Sequence, residues 1–194
     1  GVSESDVEPV PSGSPSTPEA DASWLSEVKP TTPMTPSTHP SDALYAAEHL
    51  VSVELVIEPS KWSQLKAQGR TKSDLFAGNC LNDPPPDVYD WFSATVTIDG
   101  ETLGNVGVRK KGAMDPLTGD KPSLKLRFDK FEDDRLLSNG LRRMTFEHMR
   151  SDPSMIRACL GYLVFRRAGL PAPRCNLATI SVNGDALGQI GRAS

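Results

Sequence analysis

The sequence predicts an α+β domain, a mostly antiparallel sheet with one main helix, preceded by a tail that builds no domain of its own. Three features carry the prediction. Short runs of alternating apolar and polar residues recur between positions 50 and 190, the pattern of half-buried strands. A broader apolar stripe of helical period lies between Asp152 and Gly169. The first 41 residues hold 8 of the 17 prolines and only a few large apolar side chains, such as Trp24 and Leu25.

That tail, residues 1–41, cannot bury enough apolar surface to offset the entropy of ordering it, and it reads as a disordered linker or stalk. Its six acids stand against Lys29 alone. The resulting net of −5, taken from −4 for the chain, leaves residues 42–194 at +1. The acidic balance thus belongs to the tail, and the near-neutral remainder lacks the broad basic footprint of a nucleic-acid binder. No run approaches the roughly 20 apolar residues of a membrane span. With Gly at position 1, neither an initiating Met nor a signal peptide is visible, so the chain reads as processed or as a fragment. A Pro/Ser/Thr-rich tether before one domain suits a surface protein; a flexible terminus of a cytoplasmic protein has the same composition.

The folded part, residues 42–194, opens with a strand from Leu50 to Ile57. A short helix follows, with Pro59 and Ser60 at its start, Trp62 and Leu65 on one face, and Gly69 as its stop. Arg70 to Asp90 is rich in turn formers and reads as a loop. Ala94, Val96 and Ile98 then alternate into Asp99-Gly100, a pair suited to a tight hairpin, so this strand pairs with the next. Further strands fall around Val106, at Leu124 to Phe128, around Met144 and Phe146, and on either side of Asn183-Gly184. For the main helix, Asp152 is a suitable N-cap, Pro153 fits the first position, and Gly169 with Pro171 ends it. Ile156, Leu160 and Val164, with Met155, Cys159 and Leu163 beside them, make an apolar face expected to dock on the sheet.

The stretch from Asn105 to Phe131 is the chemically suggestive one. It reads as a strand, a basic loop in which Gly107 and Gly112 flank Arg109, Lys110 and Lys111, and a second strand that carries Lys125 on the face opposite its leucines. Glycines that let a backbone approach a ligand, together with cations, form a phosphate grip. An ordinary solvated hairpin has the same composition. Cys80, Cys159 and Cys175 show no zinc spacing, and no metal site is expected. His39, His49 and His148 are scattered, and no G-x-S-x-G or H-E-x-x-H motif points to a hydrolase.

Six blocks extend this reading: VSVELVIEPSKWSQL, VTIDGETLGNVGVRKKG, KPSLKLRFDKF, GLRRMTF, DPSMIRACLGYLVFRRAGLPAPR and ISVNGDALG. In this order they resemble the CotH family, the spore-coat-protein-H-like atypical protein kinases, from about Leu50 to the end of the chain. The resemblance implies the amino-terminal lobe of a kinase-like fold, the lobe that holds ATP with Mg²⁺ or Mn²⁺. It also implies transfer of the γ-phosphate to Ser/Thr hydroxyls of protein substrates, with the catalytic and metal-binding acids in a carboxy-terminal lobe not included here. No catalytic residue is therefore expected in this chain.

By resemblance, Lys125 is the phosphate-pairing lysine, with Gly107, Arg109, Lys111 and Gly112 in the covering loop. The family usually places an acid directly after the arginine matched by Arg157, and this chain has Ala158. Another acid such as Glu147 then substitutes, or the grip is built differently, or nucleotide binding is lost. The family includes secreted and lipid-anchored members, which implies an extracellular or cell-surface setting. There Cys159 and Cys175 could form a disulfide; two small buried thiols are the other reading. A surface or coat interaction module that keeps the kinase-like shape without chemistry is the alternative to the kinase.

Overall fold

The computed structural model describes residues 39–71, 73, 87–112, 121–149 and 152–193, with the backbone alone for 189–193. The expected tail lies outside the described residues except for 39–41, as does most of the loop expected from Arg70 to Asp90. The described part begins with a 3-10 helix, Pro40–Tyr45, in which Ser41 and Leu44 are buried. The described residues thus include the last three, 39–41, of the expected tail. Asn176 binds this segment, its side-chain amide donating to the carbonyls of Leu44, Ala46 and His49 at 2.7 to 3.0 Å.

Seven strands follow: β1 (Val51–Val56), β2 (Phe92–Ile98), β3 (Glu101–Lys111), β4 (Ser123–Arg127), β5 (Arg143–Glu147), β6 (Cys175–Val182) and β7 (Asp185–Ala193). With two α-helices among the described elements, α1 (Pro59–Ala67) and α2 (Arg157–Arg167), the class is α+β, as expected. The sheet curls and closes on itself in the order β1-β2-β3-β4-β5-β7-β6. Every pairing is antiparallel except the closing one, in which β1 runs parallel to β6 from Val51↔Ala178 to Leu55↔Val182. Closure removes the open edges that would invite pairing with another chain.

The alternation seen in the sequence sorts residues between the inside and outside of this barrel. Val51, Val53, Leu55, Val96, Val106, Val108, Leu124, Leu126, Met144, Phe146, Ile180 and Val182 fill the interior. Both expected hairpin turns form. Asp99 and Gly100, like Asn183 and Gly184, take left-handed conformations at φ 47°, 88°, 52° and 87°. That geometry matches the twist of the strands they join. Each turn also ties down β1: the Asp99 carboxylate accepts from the Ser52 amide at 2.8 Å, and Asn183 Oδ1 from the Ile57 amide at 2.9 Å.

Three expectations are corrected. β3 continues to Lys111, so Gly107, Arg109, Lys110 and Lys111 lie in a strand rather than a loop. The reason is the ladder, since β4 pairs with β3 from Gly107↔Arg127 to Lys111↔Ser123. Secondly, the main helix starts at Arg157 and not at Pro153. Met155 stands at φ 58°, a conformation no helix interior adopts, and Asp152 caps from farther back, its Oδ2 accepting from the Arg157 amide at 2.9 Å.

Thirdly, the apolar stripe of α2 does not dock. Ile156, Leu160, Leu163 and Val164 are exposed and no residue of the helix is buried; it meets β6 through half-buried residues such as Cys159. The helix ends as expected at Gly169, φ 77°, where the Gly169 amide reaches Arg166 O and the Leu170 amide Phe165 O, both at 3.0 Å. The Cys159–Cys175 disulfide joins α2 to the start of β6, which settles that pair of alternatives.

Just after β4, Asp129 is 8% exposed and bridges two cations, accepting from Arg127 Nε at 2.9 Å and Arg142 Nη1 at 2.7 Å. The Arg127 hydrogen bond first, then that of Arg142, brings its pKa down to about 2 against the opposing effect of burial. A carboxylate whose pKa is depressed by folding contributes stability above its unfolded value, near 4, and loses it as pH falls through the folded one. The urea midpoint is therefore expected to fall between pH 4 and pH 2, and to fall less steeply in Asp129→Asn, as urea titrations of both proteins at each pH would show.

Candidate functional site

Strand alternation puts Gly107, Arg109 and Lys111 of β3 on the outer face, with Lys125 of β4 opposite Arg109 and Ser123 opposite Lys111. Gly112, at φ 133°, follows β3 directly, and its carbonyl accepts from the Tyr89 hydroxyl. The structure therefore gathers the five residues singled out by sequence on one patch of sheet, yet each is engaged differently.

Gly107 is a packing glycine. A Cβ there would lie 2.5 Å from Lys130 Cβ and 3.1 Å from the Trp91 ring, so these side chains leave no room for one. Arg109 is also committed, with Nη2 at 2.6 and 2.7 Å from the two oxygens of Asp87 and its guanidinium facing the rings of Tyr89 and Trp91. Burial raises the Asp87 pKa, but the Tyr89 amide and Arg109 outweigh it and hold the carboxyl below its usual value. Lys125 is exposed, with no ion pair among the described residues.

Lys111 is the lysine with a carboxylate partner. Its Nζ donates to Glu147 on β5, one strand beyond β4. Ser123 lies between them in the ladder; its hydroxyl donates to Glu147 at 3.5 Å and accepts from the His148 amide at 3.0 Å. The acid thus comes from a strand, whereas Ala158, at the position where the resemblance led to an acid being expected, is a half-exposed residue of α2.

Two adjoining depressions of about 300 and 270 Å³ open beside this pair and share His148, Met149 and Asp152. Lys121 lines one, and Glu147, Arg157 and Ala158 line the other. Burial lowers the Lys121 pKa from its ordinary value. The Asp152 carboxyl sits low because the Ser154 hydroxyl, with the Arg157 and Ser154 amides, outweighs the effect of burial. It remains an anion that fixes the first turn of α2. The lining thus carries two cations, Lys121 and Arg157, and two carboxylates, Glu147 and Asp152, with Lys111 paired to Glu147 beside it.

Among the described residues, no group of three or more His, Cys, Asp or Glu is placed to hold a metal ion. Lys121, His148, Asp152 and Arg157 were not picked out as site residues by sequence. Glu147 alone carried a usable signal: with Met144 and Phe146 inward, it must face outward, as Lys111 does.

Fold and cleft together define a closed, mixed-sheet α+β domain with a lysine–glutamate pair at the edge of a cleft of mixed charge. Residues 108–189 match the family model CotH kinase protein. The match runs from within β3 to within β7, so the CotH resemblance spans β4, β5, α2 and β6 and every residue that lines the cleft. No curated protein matches the chain. No helix among the described residues is long and apolar enough to cross a membrane.

Proposed function

We propose that this chain is the nucleotide-binding part of a CotH-like atypical Ser/Thr protein kinase, and that Lys111, rather than Lys125, is the lysine that pairs with nucleotide phosphate. The observation that carries the reading is the Lys111–Glu147 pair beside the cleft. In phosphoryl transfer most of the catalytic work is positioning and charge stabilisation, and the phosphate-pairing lysine is held by a carboxylate. Glu147 takes that part from β5.

The donor set fits phosphate. Lys111 and Lys121 would hold its oxygens, Glu147 would orient Lys111, and Lys125 on the neighbouring strand would add charge at the outer edge. ATP bound there would supply the γ-phosphoryl group for hydroxyls of surface, coat or secreted proteins. No residue described here is assigned to Mg²⁺ or Mn²⁺. A disulfide supports an extracellular or cell-surface setting, where such bonds persist. One observation favours the alternative, a non-catalytic interaction module: the outward apolar stripe of α2 gives the domain a surface suited to docking.

Thermal unfolding with Mg-ATP separates the readings. Ligand at 100 times its dissociation constant should stabilise the folded protein by about 2.7 kcal/mol. The shift is expected in wild type, to vanish in Lys111→Ala, to shrink in Glu147→Gln, and to persist largely in Lys125→Ala. Loss in Lys125→Ala with retention in Lys111→Ala would reverse the assignment of the lysine. No shift in any folded sample would leave the interaction module as the better reading.

A further inference from the structure

We propose that the outward stripe of α2 is an interfacial contact with an anionic lipid surface, on which the helix lies flat. The proposal does not rest on nucleotide binding. Residues three and four apart share a helix face, so Ile156, Leu160, Leu163 and Val164 make one stripe, exposed by 44, 51, 36 and 65%. Phe165 and Leu170, also exposed, extend the apolar surface at the C-terminal end, where the Leu170 amide turns back to Phe165 O. The half-buried side of the helix, with Cys159 bonded to Cys175, meets the β6–β7 hairpin. A fixed element thus presents the stripe.

The charge along the helix has one sign. From Pro153 to Gly184 the sequence holds Arg157, Arg166, Arg167 and Arg174 and neither Asp nor Glu. Arg174 is taken up by Asp42, and Arg157 stands 3.6 Å from Asp152, yet the Arg157 side chain keeps 73% of its surface exposed at the first turn. Arg166 and Arg167 lie in the last turn. The apolar stripe therefore has cations at both ends.

That combination favours lipid over a protein partner. The stripe offers no side-chain hydrogen bond to fix a partner's register, and it lines neither of the two depressions of the cleft. An interfacial helix needs neither, since its apolar side chains enter the acyl boundary while arginines meet the phosphates. With 11 residues α2 is too short to cross a bilayer, which takes roughly 20. It would lie in the plane of the surface. Its first turn supplies Arg157 and Ala158 to the cleft, so this seating brings the cleft to the lipid headgroups.

Co-sedimentation of the full chain with vesicles tests the contact. Vesicles of phosphatidylcholine alone are compared with vesicles holding about one third phosphatidylglycerol, for wild type and for Leu160→Ser/Val164→Ser. Both side chains are exposed, so the variant should fold, which circular dichroism checks; Val164→Ser alone serves if the pair does not. Wild type is expected to bind the anionic vesicles, to bind neutral ones more weakly, and to lose affinity by about tenfold or more in the double variant. Equal binding by wild type and variant would overturn the proposal, because the contact would then lie elsewhere, as in the first 41 residues. Equal affinity for the two kinds of vesicle would overturn it as well. So would no binding to anionic vesicles, and sedimentation velocity would then show whether the stripe instead joins two copies of this chain.

Discussion

Phe146→Ala is expected to destabilise the domain by about 3 to 5 kcal/mol, the usual range for removing a buried phenyl ring. Phe146 has no exposed surface and lies on β5, opposite Leu124 of β4 and Arg192 of β7. β5 joins the β1–β4 run of strands to the β6–β7 hairpin. A cavity there loosens two strand pairings at once, and the closed ladder resists the backbone shift that would fill it. Domains of this size have a total stability of about 5 to 15 kcal/mol, so the variant should be near its unfolding threshold at room temperature. Urea unfolding should show a large drop in midpoint at unchanged slope. Thr145→Ala, on the outer face of the same strand, is expected to stay within about 0.5 kcal/mol of wild type. Equal losses in the two variants would show that strand pairing, rather than interior packing, sets the stability of β5.

The contrast between those neighbours shows which parts of this fold are legible in sequence. Alternation is local and strong, so the inward set of Val51, Val53, Leu55, Leu124, Leu126, Met144 and Phe146 can be read directly. Asp99-Gly100 and Asn183-Gly184 are equally direct, because few residue pairs accept two left-handed conformations in succession. Closure is different in kind. The parallel pairing of β1 with β6 joins segments more than a hundred residues apart, and nothing within either strand states its partner.

The misreading of α2 has the same origin. An apolar helical stripe normally marks the buried face, but here Ile156, Leu160 and Val164 stay exposed while the helix meets β6 through half-buried residues such as Cys159, whose partner is brought in from another strand. Its start was hidden by a backbone conformation, since Met155 at φ 58° breaks a run that composition alone would extend back to Pro153.

The cleft was half legible for a related reason. The cations of β3 and β4 stand out in sequence, and Arg109, Lys111 and Lys125 all face the same side. Choosing between them needs the register of three strands, because only that register sets Lys111 and Ser123 beside Glu147. Arg109 and Gly107 look like ligand-binding residues, and in the fold Arg109 pairs with Asp87 and Gly107 packs against Trp91 and Lys130. A basic residue in a motif and a free cation are separate facts, and the second depends on neighbours brought in from elsewhere in the chain.

Lys110 is the sharpest case, and Lys110→Ala is expected to destabilise the domain by about 3 kcal/mol or more. Alternation from Val106 and Val108 puts it inside the barrel wall, where it has no exposed surface. Its Nζ donates to the carbonyls of Lys66 at 2.9 Å and Gln68 at 2.7 Å, at the C-terminal end of α1. Those acceptors suit a cation, because the last carbonyls of a helix carry its negative partial charge.

The Gln68 side chain exchanges hydrogen bonds with Asp90 at 2.6 and 3.0 Å, so this end of α1 is held from two directions. Alanine removes the buried stem and leaves two carbonyls short of a donor, at about 1 to 3 kcal/mol for each buried group unsatisfied. Relief from burying an ammonium works the other way, which keeps the expected loss below the sum of those effects. Lys110→Met keeps most of the stem and removes the donors, so it should fall between wild type and Lys110→Ala in chemical denaturation. If methionine matched or exceeded wild type, burying the charge would outweigh its bonds to α1, and Lys110 would have to be kept for something other than stability.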